Sequence, residues 1–104
     1  MLNFIKKIFG KDDTDYKTLV AQGAIIVDVR SVGEFNSGHI DGAINMPVDN
    51  LAKNLGKLKD KNKVIITCCA SGMRSGAAKN ILQANGYANV HNGGGWTGLR
   101  SKIS

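Results

Sequence analysis

The sequence predicts an α/β domain in which a small, mainly parallel sheet is flanked by helices on both faces. Two short apolar runs, residues 24–29 and 64–67, are rich in β-branched residues and have the continuous hydrophobic character of strands buried on both sides. Segments with helical spacing of apolar residues separate these runs and follow the second one. Strands that alternate with short helices are typical of a parallel sheet covered on both faces.

The composition indicates one ordinary globular domain. The chain has 104 residues, of which 42% are apolar and 21% charged, enough for a single hydrophobic core. The two cysteines are adjacent, so they cannot close a loop, and no zinc-ligand spacing is present. Such sparing use of cysteine fits a reducing compartment, and we expect a cytoplasmic monomer without a metal or an organic cofactor.

The formal charge of +6 arises largely from residues 53–63, where five lysines accompany one aspartate. We interpret this stretch as a solvated surface, because a nucleic-acid site would interleave arginines and aromatic residues with the lysines. The excess charge predicts a general attraction for small anions or an acidic partner, and no binding of nucleic acid.

Residues 1–11 are predicted to be an amphipathic extension of a domain that spans residues 12–104. In this extension Leu2, Ile5 and Ile8 have helical spacing, with lysines on the other side. The lysines lie inside the apolar residues, which argues against a signal peptide, and no stretch is long enough to span a bilayer. We expect the extension to pack on the domain; contact with a membrane surface or a partner is the alternative.

The first part of the domain is predicted to contain a short helix, a central strand and a second short helix. Residues 16–22 form the first helix, which ends at Gly23. The strand 24–29 carries Asp28 near its end, and a buried carboxylate needs a partner. Ser31 can cap the next helix, and Arg30 and Glu34 are spaced to pair. We expect Asp28, Arg30 and Glu34 to form a supporting set of ion pairs.

The remaining elements are predicted from turn-forming residues and from the spacing of apolar residues. Residues 43–45 form a short strand, and residues 48–58 an amphipathic helix with apolar residues at positions 48, 51, 55 and 58. The helix after the cysteines ends at Gly86, a last strand covers residues 89–91, and three glycines precede Trp96 and a short basic tail.

The two cysteines end a buried strand and are followed by a loop of small residues and a helix. Amide N–H groups and the helix dipole favour an anion at such a helix N-terminus, so a thiol placed there ionises readily. We therefore predict that Cys69 is a reactive nucleophile and that Arg74 is a fixed cation on the rim. The segment after the first central strand reaches the same edge of the sheet, where ligands bind in such folds.

Three segments carry a resemblance to the single-domain rhodaneses, a family of sulfurtransferases. IIVDVRSVGEFNSGHIDGAINMP (25–47) is similar to the family's DVR…EF…GHI segment, CASGMRS (69–75) resembles its C-x-x-G-x-R-S active-site loop, and GGGW (93–96) is a weaker match. The resemblance implies that Cys69 takes a sulfane sulfur from thiosulfate or another persulfide donor and passes it to cyanide or a thiol, including a protein thiol. In one departure, Ala70 stands where many relatives have a basic or polar residue, leaving Arg74 as the only loop cation.

The residue types of the loop suit this chemistry. Its amides would stabilise the anionic persulfide, Arg74 would hold the sulfonate end of the donor, and Ser75 would add a hydroxyl. The predicted substrate-binding residues are Ala70, Ser71, Gly72, Met73, Arg74 and Ser75.

Two alternatives stay open at this point. Five residues separate Cys68 from Arg74, which is the spacing of a cysteine phosphatase, although Ser71 then replaces the expected glycine. A rhodanese-like module that carries sulfur or docks a partner without fast turnover would need the same Cys69. Outside the loop, Cys68 is interpreted as a core residue, His39 and His91 as structural, and Trp96 as core or crevice wall.

Overall fold

The computed structural model describes residues 14–104, which form a four-stranded parallel sheet with strand order β2-β1-β3-β4. The strands are β1 (Ile25–Asp28), β2 (Ile44–Asn45), β3 (Ile65–Cys69) and β4 (Val90–Gly95). The α-helices are α1 (Tyr16–Ala21), α2 (Val32–Ser37), α3 (Met73–Ala84) and α4 (Trp96–Ile103). Two 3₁₀-helices cover Val48–Lys53 and Leu55–Lys57. The predicted α/β class is confirmed; the extension 1–11 lies outside the described residues.

The core has two layers, one on each face of the sheet. Alternate residues of a strand point to opposite faces, so β3 contributes Ile65 to one layer and Ile66 to the other. Leu82 of α3 packs in the first layer, and Leu99 of α4 packs in the second. Helices therefore cover both faces, as the continuous apolar runs predicted.

The register of the central pair places the two predicted site segments side by side. Asp28 of β1 lies opposite Cys68 of β3, and both strands end within one residue of this pair. The segment after β1 and the loop after Cys69 consequently leave the sheet at the same edge, where parallel sheets bind ligands.

The predicted amphipathic helix 48–58 is wrong, because the chain forms two 3₁₀-helices there. Asn54 separates them, with a non-helical φ of −117° and ψ of 19°. Val48 and Leu51 are three residues apart, as are Leu55 and Leu58, and in a 3₁₀-helix this spacing brings side chains onto one face. The apolar pattern thus predicted the burial correctly, but not the type of helix.

The end of the chain also differs from its prediction. The last strand is longer than 89–91 because it runs through all three glycines, and the basic tail is helix α4. Gly93 lies so close to β3 that a Cβ there would be 2.8 Å from Cγ2 of Ile66 and 2.8 Å from the carbonyl oxygen of Thr67. Gly93 thus permits the close approach of β4 to β3, although glycine runs usually indicate turns.

Within residues 14–104, no helix combines the length and the apolar character needed to cross a bilayer. The same part of the chain has no group of three or more histidine, cysteine, aspartate or glutamate side chains placed to hold a metal ion.

Candidate active site

Cys69 is the last residue of β3, and its thiol is enclosed by the loop that leads into α3. Its exposed fraction is only 1%. The amide of Gly72 donates to Sγ at 2.9 Å, and the Ser71 and Ser75 amides also point to the sulfur. Gly72 has a φ of +102°, a left-handed conformation that glycine adopts without strain and that turns its N–H inward. Three of the six predicted loop amides thus reach the sulfur.

These contacts decide the protonation of the thiol. Burial by itself raises the pKa of Cys69, but hydrogen bonds from the Ser75 hydroxyl and from the amides of Ser75, Gly72 and Ser71 outweigh it. The pKa of the Cys69 thiol is therefore lowered, and a larger fraction is thiolate at neutral pH.

Cys68 has the opposite surroundings. Its side chain lies in the other core layer with Ile66 and Leu99, and it is fully buried. Burial, followed by the nearby Asp28 carboxylate, raises the pKa of this thiol to about 12. Cys68 is therefore a core residue in the neutral thiol form, and the phosphatase alternative loses its nucleophile.

A polar network behind Cys69 involves Asn92, a residue that the sequence analysis missed. Ser75 Oγ lies 3.4 Å from Cys69 Sγ and 2.6 Å from Asn92 Oδ1. Asn92 Oδ1 also accepts from the Gly94 amide at 2.9 Å, and its Nδ2 donates to the Gly72 carbonyl at 3.3 Å. Asn92 of β4 thereby ties the cysteine loop to the sheet and positions the Ser75 hydroxyl. Its Oδ1 accepts the hydroxyl proton while Cys69 is a thiol, and the same proton can turn to the sulfur when Cys69 ionises.

Asp28 and Arg30 form a buried pair at the end of β1. Arg30 Nη2 and Nε donate to Asp28 at 2.7 Å and 2.9 Å, and the two side chains are 5% and 0% exposed. The Arg30 guanidinium lies 4.6 Å from the centre of the Trp96 ring and donates to the Gly38 carbonyl at 2.7 Å. The predicted partner of Asp28 is thus found, and Trp96 forms a wall beside it.

The predicted side-chain pair between Arg30 and Glu34 is wrong. The contact between Arg30 and Glu34 is to the backbone carbonyl of Glu34, at 3.3 Å, because the buried Asp28 carboxylate holds the Arg30 guanidinium. The Glu34 carboxylate instead accepts from both terminal nitrogens of Arg74, at 2.7 Å and 3.0 Å. The cation predicted for the rim of the loop is therefore already paired.

The other loop side chains are open to solvent. Met73 is 84% exposed, and Ala70 and Ser71 are exposed as well. His39 is structural, as predicted, since its Nδ1 lies 2.8 Å from the Phe35 carbonyl and its ring stacks on Phe35.

Comparison with known proteins identifies the family. The protein-family model described as the rhodanese-like domain matches residues 12–102 of the sequence. The chain belongs to the rhodanese family. It is 37% identical to the thiosulfate sulfurtransferase PspE of Escherichia coli over 70 residues, which cover 66% of this chain and 67% of that protein.

Further similarities show how widely this domain occurs. The structure of the human single-domain sulfurtransferase TSTD1 matches with a TM-score of 0.70 and 28% identity, covering 84% of this chain and 90% of the human one. The tRNA uridine(34) hydroxylase of Buchnera aphidicola is 35% identical over 75 residues, covering 67% of this chain but only 24% of its own length. The relatives named sulfurtransferase support sulfurtransferase activity in general. The match covers only a small part of the tRNA uridine(34) hydroxylase, so the activity of that protein is not carried over to this chain.

Removing the Ser75 hydroxyl of this rhodanese domain should make the Cys69 thiol harder to ionise. Because a hydrogen bond to a charged group is worth about 1.5–3 kcal/mol, Ser75→Ala should slow alkylation of Cys69 by about tenfold or more below the thiol pKa. The pKa of Cys69 should rise, since the largest stabilising contact of the thiolate is lost. The pH profile of iodoacetamide alkylation, followed by intact mass, measures both effects.

The matched control is Ser101→Ala, which removes a hydroxyl that bonds only within α4, to the Thr97 carbonyl at 3.2 Å. It should leave the profile unchanged. An identical profile for Ser75→Ala and the wild type would contradict the role given to this hydroxyl.

Proposed function

We propose that this rhodanese-like domain transfers a sulfane sulfur from thiosulfate or another persulfide donor to a thiol or cyanide acceptor, through a persulfide on Cys69. The observation that carries the proposal is the difference between the two thiols. Cys69 faces three amides and the Ser75 hydroxyl and has a lowered pKa, whereas Cys68 is sealed in the core. Nucleophilic attack on sulfur requires a thiolate.

In the first step the Cys69 thiolate attacks the outer sulfur of the donor. The S–S bond of thiosulfate breaks, sulfite leaves with the electron pair, and Cys69 becomes a persulfide. The new terminal sulfur is anionic, so the Gly72, Ser71 and Ser75 amides can stabilise it as they stabilise the thiolate.

In the second step an acceptor anion attacks that terminal sulfur. Cyanide yields thiocyanate and a cellular thiolate yields a new persulfide, and in both cases the electron pair of the broken S–S bond returns to Cys69. The exposed outer side of the loop at Ala70 and Ser71 leaves room for a thiol carried by another protein.

We further propose that the domain begins near residue 12 and works as a monomer in the cytoplasm. The match to the family from residue 12 supports the boundary. Both cysteines are free thiols, which suits a reducing compartment.

Intact mass spectrometry of the reduced protein incubated with thiosulfate tests the proposal. We expect a gain of one sulfur atom, its removal by cyanide, and the release of thiocyanate. If neither thiosulfate nor an organic persulfide such as glutathione persulfide adds a sulfur atom, the proposal is wrong. An adduct that forms with the organic persulfide alone would retain the persulfide chemistry and exclude thiosulfate as the donor.

A further inference from the structure

The Glu34 carboxylate is held at the edge of the cysteine loop by four hydrogen bonds. Two come from Arg74, and the other two come from the backbone N–H and the hydroxyl of Ser31, each donating to Oε1 at 3.1 Å. The bond from Arg74 and then that from the Ser31 backbone lower the pKa of Glu34 to about 2. The carboxylate is therefore ionised at neutral pH and fixed in place by helix α2.

The Glu34 carboxylate neutralises the positive charge of Arg74, which would otherwise attract an anionic substrate to the loop. Arg74 lies two residues after Gly72, whose amide binds the Cys69 sulfur. Its side chain is 38% exposed and that of Glu34 is 39% exposed, so the pair is accessible to solvent beside the cysteine loop. A bidentate pair between arginine and a carboxylate uses both terminal nitrogens of the guanidinium.

The two classes of donor should respond differently to this pair. Thiosulfate is a dianion, and at Arg74 it meets a guanidinium whose charge Glu34 already neutralises. It therefore gains little net attraction there and also approaches the fixed carboxylate. An organic persulfide carries at most one negative charge on the sulfur that is transferred. It needs only the amides around Cys69, which the pair leaves free.

We propose that Glu34 is a specificity-determining residue that makes Cys69 accept sulfur from organic or protein persulfides in preference to the thiosulfate dianion. This inference rests on the proposed function, because it concerns the donor for the Cys69 persulfide. With the persulfide donor, the Cys69 thiolate attacks the terminal sulfur, the S–S bond breaks, and the donor thiolate leaves with the electron pair. A charge placed against the less favoured substrate is a common source of specificity.

Glu34→Gln tests the inference because it removes the charge and keeps the fold of α2. Glutamine can replace glutamate in a capping box with Ser31, which the structure shows to be complete. The matched control is Asp60→Asn, which removes one negative charge near the amino end of β3 and keeps an oxygen to accept from the Asn62 amide at 2.9 Å. Rates of sulfur loading are measured by quenched intact mass at low ionic strength, with thiosulfate and with the persulfide of 2-mercaptoethanol, which has no other charged group.

We expect Glu34→Gln to raise the rate with thiosulfate about tenfold and to leave the rate with the persulfide of 2-mercaptoethanol nearly unchanged. Added salt should reduce the gain, since the effect is electrostatic. In Arg74→Gln, where the Glu34 charge is uncompensated, loading by thiosulfate should become slower relative to loading by the persulfide. Asp60→Asn should match the wild type with both donors.

The inference is overturned if Glu34→Gln loads from both donors with the same ratio of rates as the wild type. A failure of the proposed function looks different, because the wild-type protein would then form no adduct with either donor, and this inference would fall with it.

Discussion

Cys69→Ser is expected to abolish the gain of one sulfur atom, and the release of thiocyanate with it, whereas Cys68→Ala is expected to retain both. A serine hydroxyl at position 69 stays protonated near neutral pH and is a far weaker nucleophile toward sulfur than a thiolate. Cys68 cannot compensate, because its thiol points into the core layer on the other face of the sheet.

The two adjacent cysteines make this comparison unusually well matched. Their positions differ by one residue of a single strand, and both are at most 1% exposed. They differ in what surrounds the sulfur: amides lower the pKa of Cys69, and burial raises that of Cys68 to about 12. Sulfur transfer that depends on Cys69 and not on Cys68 would therefore show that the loop around the thiol makes it reactive.

The measurement is intact mass after incubation with thiosulfate or glutathione persulfide, with cyanide-dependent release as the second readout. Alanine is chosen at position 68 because a serine hydroxyl would be buried in apolar surroundings. Thermal unfolding should show that both variants are folded at the assay temperature. A sulfur adduct that persists in folded Cys69→Ser and disappears in Cys68→Ala would assign the nucleophile to Cys68 and refute the mechanism.

The sheet was predictable because its central strands are buried on both faces. Ile25–Asp28 and Ile65–Cys69 need apolar side chains at nearly every position, and this leaves a local signal in the sequence. Strand β4 leaves no such signal, since Gly93 and Gly95 are required by close backbone contacts with other elements. A Cβ on Gly95 would lie 2.8 Å from the Ala70 carbonyl oxygen, a contact that only the tertiary fold reveals.

The same distinction applies to the site. The cysteine loop is local: Cys69, Gly72 and Ser75 lie within seven residues of one strand, turn and helix, so their proximity followed from the spacing. Glu34 and Arg74 are 40 residues apart, and Ser75 and Asn92 are 17 apart. Pairs of this kind depend on how α2 and β4 pack beside the loop, and spacing along the chain instead suggested Arg30 as the partner of Glu34.

Arg30→Met is expected to lower the free energy of unfolding by about 3–5 kcal/mol, the usual cost of removing one partner of a buried ion pair. The Asp28 carboxylate is 0% exposed and accepts from Nε and Nη2 of Arg30. In the variant it keeps the backbone N–H of residue 30, which donates at 3.1 Å in the wild type, but no charged partner. Because small domains are stable by about 5–15 kcal/mol, this loss is a large part of the total.

Urea unfolding of Arg30→Met measures the loss, and Arg74→Met is the matched control. Arg74 also pairs with a carboxylate, but its side chain is 38% exposed, so its removal should cost less than about 1 kcal/mol. The double variant Asp28→Asn/Arg30→Met should be more stable than Arg30→Met alone, because the unpaired buried charge is gone. Equal losses for Arg30→Met and Arg74→Met would show that burial does not set the strength of the Asp28–Arg30 pair. A larger loss at Arg30 that the double variant partly restores would assign the effect to the unpaired charge left on Asp28 at the end of β1.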